Sequence, residues 1–193
     1  MDIFEANQMA YSYTPHVCTV TGQHRCLGTE CGDIDDSNPD SRYEGVCDKD
    51  GCDFAPYRLG AETFYGPGPD FKVDTSKPFT VVTQFITTDG TDVGDLSEIR
   101  RVFIQDGVQV ENPTVTVGDQ EFSSITDEFC ATEKVTFGDH DSFTANGGLK
   151  AMGESLDRGH VFVMSLWDDN CECGRAILCY VYDFFLFPTF SRA

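Results

Sequence analysis

Met1-Asp2-Ile3-Phe4-Glu5-Ala6-Asn7 reads as a short strand that carries two acids among apolar neighbours. Ionisable groups are rare on a buried strand face, so this pair suggests the floor of a cleft where protons are moved. Alternate residues of a strand share a face, so Asp2 and Glu5 have opposite parity and would point apart. A β-bulge between them would re-aim one acid, a common device beside active sites. His16 follows in Thr14-Pro15-His16. By sequence alone a loop histidine of this kind reads as packing.

Outward from this strand, the pattern is mainly β. Residues 79–87 are rich in β-branched side chains and read as a strand. Residues 99–105 and 108–110 flank Asp106-Gly107, a two-residue hairpin signal. Residues 160–166 form an almost continuous apolar run, expected as a strand buried on both faces. Residues 149–156 suggest a short helix, closed by Gly159. Residues 18–78 hold Gly, Pro, Asp and Ser without sustained periodicity and read as long loops pinned by cysteines. No repeat or low-complexity tract interrupts this, and the expected architecture is an antiparallel sandwich.

The 193 residues suffice for one domain with a two-sheet core. A net charge of −20 excludes a phosphate-binding surface for nucleic acid and disfavours anionic membranes, while suiting a neutral partner such as a polysaccharide. Sixteen Phe and seven Tyr with 24% charged residues argue against disorder. Five of the nine cysteines crowd between Cys18 and Cys52 without a Cys-x-x-Cys pair, which favours disulfides over zinc and an oxidising, extracellular setting. Asp48-x-Asp50-Gly51 has the start of a calcium loop but lacks its later ligands, so no metal or other cofactor is expected. No run reaches the roughly 20 apolar residues of a spanning helix; the nearest, 176–190, is broken by Asp183. Asp2 and Glu5 stand where a secretory leader would carry basic residues, so no signal peptide is expected at this start.

The strand and several rarer strings resemble family 7 glycoside hydrolases, the fungal-type cellobiohydrolases and endoglucanases. That family reads Glu-x-Asp-x-x-Glu, then Ala-Asn, then Thr-Pro-His. Asp2, Glu5, Ala6-Asn7 and Thr14-Pro15-His16 match, and the first Glu of the motif would stand immediately before Met1. Further matches are Cys47-Asp48-x-Asp50-Gly51-Cys52-Asp53, Pro56-Tyr57-Arg58-Leu59-Gly60, Phe64-Tyr65-Gly66-Pro67-Gly68, Val81-Val82-Thr83-Gln84-Phe85 and Ser165-Leu166-Trp167-Asp168-Asp169. The cysteine-bearing loop up to Cys47, with Arg42-Tyr43, is similar to the cellobiohydrolase branch. The resemblance implies a concanavalin A-like jelly-roll sandwich of curved antiparallel sheets with long disulfide-linked loops, incomplete here. It covers residues 1–169, expected as part of a catalytic domain. Residues 170–193 are expected to be a deviant tail, the product of truncation or mistranslation.

By this resemblance the residue before Met1 is the nucleophile, Glu5 the general acid/base, Asp2 the group that tunes the nucleophile, and His16 a neighbour of the acid/base on the leaving-group side. Phe4 stands where the family usually has Trp and keeps its packing role. Trp167, the single tryptophan, suits a sugar-stacking platform. Arg42, Asp50, Asp53 and Arg58 match polar positions on the product side. The family order pairs Cys18 with Cys47, Cys26 with Cys31 and Cys52 with Cys130, leaving Cys171, Cys173 and Cys179 without native partners. The implied activity is hydrolysis of β-1,4-glucosidic bonds in cellulose with retention, releasing cellobiose, by a secreted monomer without cofactor. The chain as it stands, lacking the nucleophile, is expected to be inactive. The alternatives are a glucan-binding sandwich that does not cut, an open-cleft endoglucanase, and an acidic disulfide-rich structural domain.

Overall fold

A computed structural model describes residues 1–168 and 180–188 of the chain, with side chains as far as residue 166. The strands are β1 (Asp2–Ala6), β2 (Tyr11–Thr14), β3 (Tyr65–Gly66), β4 (Val73–Asp74), β5 (Thr80–Thr87), β6 (Leu96–Gln105), β7 (Val108–Glu111), β8 (Val115–Val117) and β9 (Gln120–Phe122). Helices α1 (Asp127–Phe137), α2 (Ser142–Ala145) and α3 (Gly148–Asp157) follow, then β10 (His160–Asp168) and β11 (Tyr180–Pro188). A four-stranded antiparallel sheet has the order β10-β11-β1-β2, and β5-β6-β7 form a second antiparallel sheet. The fold is thus mainly β with long disulfide-linked loops, as expected from the sequence.

The two sheets meet through aromatic rings. Phe4 of β1 and Tyr11 of β2 approach Phe103 of β6 with centroids 6.4 and 5.0 Å apart, and Phe64, Tyr65 and Phe79 close around them. Burying each such ring contributes about 1.5–3 kcal/mol, and the tilted and edge-on geometries add to it. Ile99, Arg101 and Phe103 share the inward face of β6 while Arg100 is exposed, the alternation a pleated strand imposes. Asp106 and Gly107 both take positive φ, 53° and 77°, which a tight hairpin turn between β6 and β7 requires.

Helix α1 was not anticipated from the sequence, although its start is marked. Thr126 caps it by accepting from the Phe129 amide at 3.1 Å, Asp127 and Glu128 occupy the first turn, and Gly138 ends it with φ 74°. Asp127 also accepts from the Leu149 amide at 2.8 Å, tying the start of α3 to α1.

One reading changes. β10 is not covered on both faces: Val161, Phe162, Met164 and Leu166 are exposed, while Phe162 borders a cavity shared with Ile3, Phe4, Val81 and Thr83. Part of the stretch read as a tail supplies β11, which lies between β1 and β10. Cys171, Cys173 and Cys179 lie outside the described residues.

Candidate active site

The register of β1 decides where its acids point. Against β2, Asp2 pairs with Thr14 and Glu5 with Ser12, so three steps on β1 match two on β2. Against β11, Asp2 pairs with Phe185 and Phe4 with Phe184. This is a bulge, and it cancels the parity difference between the acids. Thr14 and Ser12 are two apart and share a face of β2, and both hydroxyls donate to Glu5 Oε2, at 3.4 and 3.3 Å. Phe4 turns the other way, into the aromatic core. Asp2 and Glu5 therefore sit on one face of the sheet, with the apolar core beneath.

His16 joins this face from the loop after β2. Its Nε2 lies 2.8 Å from Asp2 Oδ2, and its Nδ1 lies 3.0 Å from the Asp48 carbonyl oxygen. A carbonyl only accepts, so Nδ1 carries a hydrogen and donates to it. With a carboxylate on the other nitrogen, the ring is held best as an imidazolium. Burial lowers the His16 pKa, but the hydrogen bond and charge of Asp2 outweigh it, and the net shift is upward. Gly51 makes room for this arrangement. A Cβ there would come within 2.4 Å of Thr14 Cγ2 and 2.8 Å of His16 Cε1, and its φ is +71°.

The loop of Cys47 to Asp53 carries Asp50 and Asp53, and Arg42 and Arg58 reach them from outside it. Arg42 holds Asp50 through Nε at 3.0 Å and through Nη2, and this keeps the Asp50 carboxyl below its usual range. The Asp50 amide in turn donates to Asp48 Oδ1 at 3.1 Å. Arg58 pairs with Asp53 at 2.9 Å and reaches Glu133 of α1 at 4.0 Å. Disulfides Cys18–Cys47, Cys26–Cys31 and Cys52–Cys130 fasten these loops, the last to α1. The structure thus brings Asp2, Glu5 and His16 together, and sets Arg42 with Asp50 and Arg58 with Asp53 as pairs. Trp167 lies on β10, its backbone opposite Val181, and its side chain is outside the described atoms.

Several contributors were not singled out from sequence. Ser12 and Thr14 hold Glu5, and their alternation along β2 was the available signal. Arg101 was foreshadowed by two adjacent arginines in a strand, one of which has to face inward. Glu133 is 2% exposed on α1, and burial, with the negative charge of Asp53 adding, raises its pKa to about 8.

The family model of glycosyl hydrolase family 7 matches residues 1–177. The chain belongs to glycosyl hydrolase family 7. It is 51% identical over 172 residues to the exoglucanase GH7B of Limnoria quadripunctata, covering 88% of this chain and 36% of that protein. The family 7 cellobiohydrolase of Daphnia pulex superposes with a TM-score of 0.76 at 45% identity, over 97% of this chain and 37% of that one. The endocellulase EGI of Humicola insolens gives 0.70 at 34% identity, over 96% and 38%. The chain therefore spans little more than a third of the length of these relatives.

Proposed function

We propose that these residues form the acid/base side and the leaving-group side of the active site of a secreted family 7 cellulase. It cleaves β-1,4-glucosidic bonds by double displacement with retention. The observation that carries this reading is the bulge in β1, which gathers Asp2, Glu5 and His16 on one face above an apolar core. Retaining glycosidases work with two carboxyl groups about 5 Å apart, one attacking the anomeric carbon and the other protonating the leaving oxygen. Glu5 is the proton donor and later the base that activates water, and its two hydroxyl donors fix its direction. Asp2, held by His16, orients the nucleophile, which the family motif puts immediately before Met1.

Arg42 and Arg58, each braced by an aspartate, face the departing disaccharide in this reading, and Trp167 supplies a stacking surface for a glucose ring. The enzyme acts as a monomer and needs no cofactor. Cellobiose release from chain ends is favoured because the exoglucanase and the cellobiohydrolase share more identity with this chain than the endocellulase does. Open-cleft endo action is the second reading, favoured by the good superposition on that endocellulase.

The test is Glu5→Gln in the full-length gene product. Loss of the proton should slow cellulose and poor leaving groups by ~10²- to 10⁴-fold while sparing an activated aryl cellobioside in the first step. Equal losses on both substrates would reassign the role of Glu5.

A further inference from the structure

Beneath the acid-bearing strand lies a charge that the chemistry above does not use. Arg101 is 1% exposed, on the inward face of β6. Its guanidinium stacks against Phe4 and Tyr13, with centroids 5.3 and 4.6 Å away. Its Nη2 donates to the carbonyl oxygen of Ile3, while Nε and Nη1 have no hydrogen-bond partner among the described residues. Burial of this kind disfavours the charged form, and the pKa of Arg101 falls to about 10. An apolar side chain of similar length would fill this space at less cost, so packing alone does not account for an arginine here.

The bulge does. Ile3 is the residue between Asp2 and Phe4 that has no partner in the register with β2 or with β11. Its carbonyl would be a partly buried acceptor outside the paired register, and such groups need a partner. We propose that Arg101 is a positioning residue for the acid/base strand: by donating to Ile3 it holds the β1 bulge that turns Glu5 to the same face as Asp2. Without that donor a regular ladder becomes the better arrangement for β1, and a regular ladder puts the two acids on opposite faces. The two rings set the plane of the fork, and the fork sets the height of the Ile3 carbonyl. A planar group that stacks and donates at once fits this task, and a lysine does only part of it. The proposal rests on the reading of Glu5 as the acid/base.

The experiment compares Arg101→Met, Arg101→Gln and Arg101→Lys in the full-length gene product. It measures kcat and KM on an aryl cellobioside, the NMR titration of His16, and the melting temperature. Arg101→Met should lower kcat ~10²-fold with little change in KM, the usual size of a small misplacement of a catalytic group. His16 should then titrate closer to an ordinary histidine, as Asp2 leaves its place, while the melting temperature holds or rises. Arg101→Gln, which keeps an amide donor, should recover part of kcat and of the His16 shift. An Arg101→Met protein with unchanged kcat and unchanged His16 titration would overturn the proposal. So would one that fails to fold, since the arginine would then support the core rather than the bulge. If the unmodified gene product shows no turnover, the catalytic reading of Glu5 fails, and the His16 titration alone decides for or against Arg101.

Discussion

At the scale of single residues, the site is built from groups whose protonation depends on a neighbour. His16 is the clearest case, because both its ring nitrogens face acceptors. Its folded-state pKa lies above the unfolded value, so the proton is bound more tightly in the folded chain. The resulting stability is fully present below about pH 6.5, the unfolded histidine value, and is lost as pH rises through the folded one. Asp2→Asn keeps the shape but removes the charge that sustains the shift. The variant should therefore be less stable than the parent in mildly acidic solution, and the gap should close toward alkaline pH. Chemical denaturation at a series of pH values measures this; a gap constant with pH would mean that His16 and Asp2 are not coupled.

At the scale of elements, strand β1 and helix α1 show how context overrides local pattern. Alternation along Asp2 to Ala6 separates the acids, and only pairing with β2 and β11 introduces the bulge that reunites them. Helix α1 turns a glutamate inward, fastened by the Cys52–Cys130 disulfide beside Asp53 and Arg58. Lys134 and Asp139 of the same region are the other charges acting on Glu133, and burial dominates them all. The Glu133 pKa of about 8 exceeds the unfolded value near 4.5, so the folded state keeps a proton that the unfolded chain releases. Stability from this group is complete below about pH 4.5 and is lost as pH rises through 8. Glu133→Gln fixes the neutral form and should be more stable than the parent by about 1–3 kcal/mol at pH 8, with no difference at pH 4. Parallel stability curves for the two proteins would contradict this.

At the scale of the whole molecule, the three disulfides among the described residues close loops of very different length, with sequence separations of 5, 29 and 78 residues. Loop-closure entropy ranks their contributions at about 2, 3–4 and 4–5 kcal/mol in that order. Paired Cys→Ala replacements should lower the urea midpoint in the same order, with Cys52/Cys130 the most costly since both sulfurs are also fully buried. A larger loss from Cys26/Cys31 would reverse the ranking. Residue order alone was enough for much of this protein. β-Branched side chains marked β5, Asp106-Gly107 marked the hairpin of β6 and β7, and the strings around Glu5, His16 and Cys47 carried the family, because each signal is local along the chain. The Ile3 carbonyl bonded to Arg101, the hydroxyls of Ser12 and Thr14 on Glu5, and the exposed faces of β10 were settled by tertiary structure. Those features depend on which strand lies beside which and in what register. Register is decided by the packing of two sheets, and no window of sequence contains both.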